Sequence, residues 1–316
     1  MSSFPKLSTG RVDKQVTSIL TAYTNNDFIA DKVLPVLPVA EESGLIPQLL
    51  NSHLRIYNNK RSLYDESAHR MGFEYDNTDR YAIDYFDTEV YMPDRLQKQI
   101  QAPFNVRRDA GITAMQSLML ERENALATLC SSTAIITNNT TLTGADQYTD
   151  PSSTPVEDVE LARTTIYNAT GREANAMIIG RKVFNALKIH PAFASNIRGA
   201  NERLSGTALL DMIADYFEIP RGNIFIGKSI KITSNEGQTE TKSVVWGNDI
   251  VVFYRPDAPS IFAPSFGYSF TLTGENLRAS TRRHFNDTGD IEKVEWAYTD
   301  HVLDVNCAYL IKSAVA

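Results

Sequence analysis

Histidine is the side chain used most often for acid–base catalysis near neutral pH. The five histidines are scattered along the 316 residues, at His53, His69, His190, His284 and His301. The sequence has no HExxH helix, no GxSxG turn and no glycine-rich phosphate loop. A Ser–His–Asp triad is assembled in space, so scattered positions leave one open. Because no nucleophile lies in a recognisable activating setting, we expect no catalytic residue, no cofactor site and no metal site, and we expect His190 and His284 to face solvent or an interface.

Neighbouring carboxylates are the other groups that could exchange protons. Asp76 and Asp79 lie in a tyrosine-rich stretch, and Glu121 and Glu123 lie in a predicted helix. We interpret both pairs as parts of solvated surfaces. Arg122 is expected to form at most a weak surface ion pair.

The two cysteines, Cys130 and Cys307, are too few for a disulfide framework or a zinc-ligand set. Free cysteine is among the most buried residue types, so we expect two reduced, partly buried thiols. Reduced thiols fit a reducing cytoplasm. The first sixteen residues contain no continuous apolar segment and no apolar run approaches the ~20 residues of a membrane span, so we expect neither a signal peptide nor a membrane helix.

The formal net charge of the chain is −7. A protein that grips nucleic acid through its phosphates normally has a basic face or stripe. The basic pairs are short and lie near carboxylates: Lys60-Arg61, Arg107-Arg108 and Arg282-Arg283. Strong DNA binding is therefore not expected.

The segment FIADKVLPVLPV (28–39) predicts an extended arm. Pro35 and Pro38 remove two backbone donors and exclude a helix beyond Val33. An extended arm buries little apolar surface against itself, so its apolar residues should dock on the body or on a neighbouring subunit. An ordinary surface loop is the alternative.

Residues 46–104 are rich in tyrosine and charge. Alternation at Phe73 and Tyr75, and again at Tyr81, Ile83 and Tyr85, predicts a long two-stranded ribbon. A lone ribbon is marginally stable in water, so this one is expected to need a partner surface.

Helical periodicity is clearest over 105–131, with Asn105 as the N-cap and apolar residues at Ile112, Met115, Leu118, Met119, Ala125, Leu126 and Leu129. Residues 132–156 are interpreted as a linker or surface loop. Residues 157–227 alternate helix and strand and predict an α/β unit. Residues 242–300 are strand-rich, and the last apolar run predicts a final strand. The expected fold class is α+β.

Four stretches resemble major capsid proteins with the HK97-type fold, in the branch with short N-termini and no fused scaffolding domain. These stretches are NNDFIADKVLPVLPVAEESG (25–44), TGREANAMIIGRKVFNALKIHP (170–191), LLDMIADYFEIPRGNIFIGKSI (209–230) and DVNCAYLIKSAV (304–315). They follow the order of the family and span nearly the whole chain. The sequence departs from the family at Cys307-Ala308, where a small residue and glycine are common. Lys60 matches no cross-linking motif of the family, so no isopeptide cross-link is implied.

The resemblance implies an HK97-like capsid fold with an N-arm, an extended E-loop ribbon, a P-domain with a long spine helix, and an α/β A-domain. The implied boundaries are 1–45 for the N-arm, 46–104 for the E-loop and flanking P-domain strands, 105–150 for the spine helix and linker, 151–272 for the A-domain, 273–303 for P-domain strands, and 304–316 for a C-terminal strand that returns to the A-domain.

The resemblance also implies a structural role, as a subunit of hexamers and pentamers in an icosahedral phage head that encloses double-stranded DNA. The implied partners are copies of the chain, a separate scaffolding protein, a portal and a decoration protein, with no membrane. The chain would be assembled in the host cytoplasm and located in the virion. We expect intersubunit contacts from apolar and aromatic residues of the arm and ribbon: Phe28, Ile29, Val33, Val36, Tyr57, Tyr64, Phe73 and Tyr75.

Two other functions stay open at this point. An encapsulin-like nanocompartment shell would have the same fold, assemble alone and contain an enzyme cargo instead of DNA. A cytoplasmic α/β enzyme would be a small oligomer with a defined ligand pocket. Electron microscopy of the purified protein distinguishes heads, uniform small cages and compact particles.

Overall fold

A computed structural model describes residues 14–46, 48–49, 56, 75–76, 79–100, 105–194, 206–259 and 264–316, apart from residues 24, 26, 275 and 287. The α-helices are α1 (Lys14–Ala22), α2 (Ala30–Val33), α3 (Asp94–Gln99), α4 (Val106–Cys130), α5 (Pro155–Thr170), α6 (Arg181–Leu187), α7 (Pro191–Ala194) and α8 (Gly206–Phe217). The strands are β1 (Val36–Val39), β2 (Ser43–Leu45), β3 (Gln48–Leu49), β4 (Tyr75–Asp76), β5 (Arg80–Ala82), β6 (Asp84–Pro93), β7 (Asn139–Thr141), β8 (Ala176–Gly180), β9 (Ile224–Gly227), β10 (Ile230–Ile232), β11 (Lys242–Val244), β12 (Ile250–Phe253), β13 (Gly267–Leu272), β14 (Leu277–Arg283), β15 (Gly289–Val302) and β16 (Ala308–Lys312).

Two five-stranded sheets organise the described residues. The first has the order β1-β13-β15-β14, and β6 also pairs with β15. The second has the order β7-β16-β12-β8-β9. We call the first sheet with α1 and α4 the helix–sheet unit, and the second sheet with α5, α6 and α8 the α/β unit. The mixture of helices with two sheets that contain both parallel and antiparallel strand pairs confirms the predicted α+β class.

The long helix α4 forms where helical periodicity is strongest. Asn105 caps it, and its side chain accepts a hydrogen bond from the Arg108 backbone N–H at 3.2 Å. Met115 and Leu118 pack on the first sheet, whereas Leu126 lies in a core shared with the second sheet. The predicted helix is confirmed, but Ala125, which was assigned to the apolar stripe, is exposed. One helix therefore contributes to the cores of both units.

The α/β unit follows its sequence pattern closely. Pro155 begins α5, and Gly171 ends it with φ of 67°, a conformation that glycine adopts without steric cost. All five residues of β8 are buried, as a short apolar run predicts. The parallel pair β8 and β9 is joined through α6, α7 and α8.

Two strands lie in segments for which the sequence analysis gave a different description. Residues 132–156, interpreted as a linker or loop, contain β7, which pairs in parallel with β16. Strand β13 lies within the range 151–272 that the resemblance implies for the A-domain, and it pairs with β1 and β15 in the first sheet. Every residue of β13 is buried, so its composition does not distinguish one sheet from the other.

The apolar segment 223–234 forms two strands, β9 and β10, which lie in different sheets. Gly227 ends β9, and a Cβ atom there would lie 2.3 Å from the indole ring of Trp246. A side chain at this position would displace the tryptophan, so the close approach requires glycine.

The arm and the base of the ribbon lie beside the first sheet. Strand β1 pairs in parallel with β13. The ribbon begins with the antiparallel pairs β2–β5 and β3–β4, in which Leu49 is the partner of Tyr75. The predicted two-stranded ribbon is confirmed at its base, and its outer part lies outside the described residues.

Candidate assembly surfaces and the charged junction between the units

Arg122 is a buried cation at the centre of α4, with 3% of its surface exposed. Its Nε donates to Asp300 at 2.9 Å, one terminal nitrogen donates to Ser269 Oγ at 2.9 Å, and the other donates to Asp31 at 2.5 Å. Its guanidinium carbon also lies 5.0 Å from the ring centre of Trp296. Burial alone would lower the pKa of Arg122, but the charge of Asp300 reverses the effect and raises it. The side chain holds the arm, through Asp31, against the first sheet.

Glu123 follows directly and faces the second unit, with none of its surface exposed. Its carboxylate accepts hydrogen bonds from the backbone N–H groups of Ile29 and Ala30 at 3.0 and 2.8 Å. It also accepts from Ser229 Oγ at 3.2 Å and from Trp246 Nε1 at 2.5 Å. Burial raises the pKa of Glu123, and these four donors oppose the rise. We call Arg122, Glu123 and their partners the charged junction, because they join the arm, α4 and both sheets.

The expectation that Glu123 and Arg122 belong to a solvated surface is wrong. Only Glu121 of this run is exposed. A signal for burial was present, since Arg122 follows Leu118 and precedes Leu126 at helical spacing and therefore falls on the apolar stripe. A charged residue on such a stripe is buried when it has partners, and these partners lie far away in sequence.

The arm residues expected at subunit contacts have different environments. Ile29 and Val33 are 5% and 0% exposed and pack in the core of their own chain. The side chains of these two are already covered within their own chain, and their contact with a neighbour stays a prediction. Phe28 is partly buried against the core under α4. Val36 is 46% exposed on β1 and stays a predicted contact residue.

The ribbon residues expected at subunit contacts are mostly outside the described part of the chain. Tyr57, Tyr64 and Phe73 fall there, as does Lys60. Tyr75 lies in β4 at the base of the ribbon. Ile56, the one residue described between 50 and 74, exposes 97% of its surface. An isoleucine so exposed gains free energy when another surface covers it.

His190 is buried rather than solvent-facing, so that expectation is wrong. Its Nδ1 accepts the Ala192 backbone N–H at 3.2 Å, which places the proton on Nε2. Nε2 lies 3.1 Å from both Asp150 O and Ser153 Oγ. The Asp150 carboxylate bonds to Ser152 instead, so these residues do not form a triad. His190 ties the loop before α5 to the start of α7.

Cys130 and Cys307 are both free and buried, which confirms the expected unpaired thiols. Burial raises the pKa of Cys130 to about 12, and burial together with Asp304 raises that of Cys307 further. In the part of the chain that the structure describes, no three His, Cys, Asp or Glu side chains are grouped so that they could hold a metal ion. No helix in that part is long and apolar enough to span a membrane.

Two known proteins are similar to this chain in sequence over most of its length. No family model matches the chain. The major capsid protein of Burkholderia phage BcepMu is 28% identical over 309 residues, which cover 95% of each chain. The major capsid protein of Pseudomonas phage JBD67 is 22% identical over 279 residues, covering 84% of this chain and 82% of that protein.

Solved structures agree with these relatives. A phage-related protein from Bordetella bronchiseptica superposes with a TM-score of 0.76 at 25% identity, covering 97% of this chain and 99% of that one. The capsid of cyanophage P-SCSP1u superposes with a TM-score of 0.56 at 13% identity, covering 98% and 92%. The holo-SrpI encapsulin of Synechococcus elongatus reaches 0.52 at 9% identity, covering 99% and 91%. The last two share the fold alone, so the sequence relatives distinguish phage capsid from encapsulin.

The sequence match to a phage capsid subunit covers 95% of each chain, and the fold is that of phage capsids. The charged junction holds the parts of the fold together. The chain belongs to the HK97-like major capsid proteins of tailed bacteriophages, which are non-enzymatic structural proteins of the virion head.

Proposed function

We propose that the chain assembles into hexamers and pentamers that close an icosahedral head around double-stranded DNA. The observation that carries this proposal is the similarity to the BcepMu major capsid protein over 95% of both chains. A separate scaffolding protein, a portal and a decoration protein are the further partners that the proposal includes.

The parts of the fold correspond to parts of such a subunit. We assign the helix–sheet unit to the P-domain, with α4 as the spine helix. We assign the α/β unit to the A-domain. Residues 1–45 are the N-arm, although β1 and the residues around Ile29 are fixed to their own subunit. The E-loop is the ribbon that extends from β3 and β4.

Assembly then depends on many modest contacts made together. Ile56, Leu45 and Val36 expose 97%, 52% and 46% of their surfaces in the isolated chain. Covering apolar surface stabilises by about 25 cal/mol per Å², and each subunit sums this over several neighbours. The contacts are head to tail, and such contacts close into rings when the rotation between copies is right.

The charges favour enclosing DNA rather than gripping it. The net charge is −7. Arg282 pairs with Glu89 at 3.0 Å, and Arg283 pairs with Asp94 at 2.5 Å. Arg107 lies 3.9 Å from Asp290. Cations already paired within the chain release few counterions on meeting a phosphate backbone, so they contribute little affinity for DNA.

The test shortens the ribbon without disturbing the sheets. Because Leu49 and Tyr75 are antiparallel partners, residues 50–74 can be replaced by an Asn-Gly turn that joins β3 to β4. A larger deletion of residues 46–90 would remove most of β6, which pairs with β15 over its whole length. We expect the short-turn variant to keep the thermal unfolding midpoint of the parent and to lose shells in negative-stain images. Intact shells from this variant would contradict the role of the ribbon.

A finer pair of variants isolates one side chain of the ribbon. Ile56→Asp should reduce the assembled fraction, whereas Ile56→Val keeps an apolar side chain and should assemble like the parent. Expression of the chain alone separates the encapsulin alternative, since that alternative requires uniform DNA-free cages without any other phage protein.

A further inference from the structure

The edge of the first sheet at β14 has no second strand beside it among the described residues. Strand β14 pairs with β15 over Leu277–Arg283, and this pairing ends the strand order β1-β13-β15-β14. A sheet edge presents N–H and C=O groups to any extended chain that reaches it. Whatever covers this edge therefore matters for a subunit that has not yet assembled.

Helix α1 covers the edge of β14. The helix contacts both β14 and α4. The backbone N–H of Ala279 donates a hydrogen bond to Thr17 Oγ1 at 3.1 Å, so this N–H points away from β15. Backbone groups alternate in direction along an antiparallel strand, so the N–H of Thr281 has the same direction. A side chain of α1 thus occupies one of the donors that a further strand would use.

Two apolar side chains dock α1. Val16 and Leu20 are 5% and 1% exposed and share a core cluster with Met115 of α4 and Ala279 of β14. A Cβ atom on Gly111 would lie 3.0 Å from Val16 Cγ1, so glycine lets α1 approach α4 closely. Helix α1 has nine residues, and a helix of this length is marginal unless it packs against other structure. Its helical form and its docked position are therefore coupled.

We propose that α1 is a strap that guards the edge of β14 in the unassembled subunit. While α1 is docked, an extended segment of a second copy cannot pair with β14, and when α1 leaves, that edge becomes available. The inference goes beyond the proposed function, because it concerns self-association through the wrong surface before any shell forms.

The partner that α1 excludes is a second copy of this chain. Pairing at a strand edge uses backbone hydrogen bonds, so it needs no matching sequence. Arg282 and Arg283 are exposed at the end of β14. Charged side chains on an edge strand are a second device against edge pairing, alongside a covering helix. The same edge is therefore protected twice, by α1 over Ala279 and by charge at the end of the strand.

The experiment displaces α1 and measures self-association. Val16→Asp combined with Leu20→Asp places two carboxylates in an apolar core, so α1 should undock. In a buffer that keeps the parent unassembled, sedimentation velocity should show half-association of this double variant at about tenfold lower concentration than the parent. Ser18→Asp combined with Ile19→Asp is the matched control, because it changes the net charge equally at exposed positions of α1. The control should sediment like the parent.

Hydrogen exchange identifies the surface through which the double variant associates. Undocking also uncovers apolar side chains of α4, which could associate without any strand pairing. Mass spectrometry of peptides covering residues 277–283 should show fast exchange in the monomeric double variant and slow exchange again in its associated form. Associates in which this segment still exchanges fast, or a double variant that associates no more than the parent, would make the inference wrong.

Thr17→Val tests the same contact in a subunit that keeps its apolar core. The substitution removes the acceptor of the Ala279 N–H with little change of shape, so exchange in residues 277–283 should be several times faster than in the parent. If the double variant fails to fold, this single variant decides the question, and exchange equal to that of the parent contradicts the inference. Shell formation by the parent is measured separately, and its absence contradicts the proposed function rather than the role of α1.

Discussion

The two sheets are stabilised in different ways. In the α/β unit, β8 and β12 are buried along their whole length, and the core under α5, α6 and α8 consists of apolar side chains. In the helix–sheet unit, one face of β15 packs on α4, while the other face has charged side chains such as Lys293, which pairs with Asp87 at 2.6 Å and with Glu295 at 2.8 Å. The α/β unit therefore obtains its stability from apolar burial, whereas the helix–sheet unit uses charges to fix one arrangement of arm, helix and sheet.

Removing one member of the charged junction should have the largest effect on stability. Arg122→Ala leaves Asp300 buried without its cation, and Glu123→Ala leaves four donors without an acceptor. Each should lower the free energy of unfolding by about 3–5 kcal/mol, because a buried charge without its counter-ion and several buried donors without an acceptor are both costly. Urea denaturation of the parent and variants measures the loss. Glu121→Ala, on the exposed side of the same turn, should change stability by less than about 0.5 kcal/mol; equal effects at positions 121 and 123 would contradict the contrast.

Removing a single donor of the junction should have a smaller effect. Trp246→Phe keeps an aromatic ring beside Gly227 but loses the indole N–H that donates to Glu123. We expect a loss of about 1–3 kcal/mol, the range for a buried charged acceptor that loses a hydrogen bond. Trp296→Phe is the matched comparison, since it makes the same ring change beside Arg122 but loses an indole N–H that donates to Asn276 rather than to Glu123. A loss at Trp296 larger than that at Trp246 would show that ring size, rather than the bond to Glu123, dominates.

Acid should affect the α/β unit through His190. Burial lowers the pKa of His190 below its usual 6.5, although the nearby Asp150 carbonyl opposes the shift. The unfolded chain therefore takes up a proton before the folded chain does. The stability that His190 contributes is present above pH 6.5 and is lost as the pH falls toward the lowered value.

The measurement is the free energy of unfolding at pH 7 and at pH 5. His190→Gln should be less stable than the parent at pH 7 but should lose less stability on acidification. His284→Gln, which removes a histidine from the helix–sheet unit, is the control for loss of a histidine alone. An unchanged pH dependence in His190→Gln would contradict the assignment.

The smallest effect is expected on the outer face of the first sheet. Arg282→Ala removes the ion pair with Glu89, whose two side chains are 61% and 39% exposed. Such surface pairs contribute about 0–1 kcal/mol, so thermal unfolding should hardly change. A loss comparable to that of Arg122→Ala would remove the distinction between junction and surface charges.

Local sequence patterns predict those structural features that depend on residues close together in the chain. The N-cap at Asn105, the end of α5 at Gly171 and the buried strand β8 follow from spacing and residue type. The junction does not, because Arg122 and Asp300 are 178 residues apart and Glu123 and Trp246 are 123 apart. No local pattern indicates which distant carboxylate or indole will meet a charged residue on an apolar stripe.

The position of the arm also depends on contacts between residues far apart in the sequence. Its prolines predicted an extended strand, and β1 confirms it. Ile29 and Val33 lie on their own subunit because the backbone N–H groups of Ile29 and Ala30 donate hydrogen bonds to Glu123. These residues are 94 and 93 positions from Glu123 in the sequence. Amino-acid composition alone does not distinguish an arm that packs on its own subunit from one that packs on a neighbour.

The position of β16 has a consequence for synthesis. This strand has the highest residue numbers in its sheet, yet it lies between β7 and β12 and is the strand partner that the structure gives to β7. While the chain emerges from the ribosome, the edges of β7 and β12 that pair with β16 have no strand partner until residues Ala308–Lys312 are synthesised. Incomplete products of translation therefore lack a finished second sheet, and only subunits synthesised through β16 present the surfaces that a shell requires.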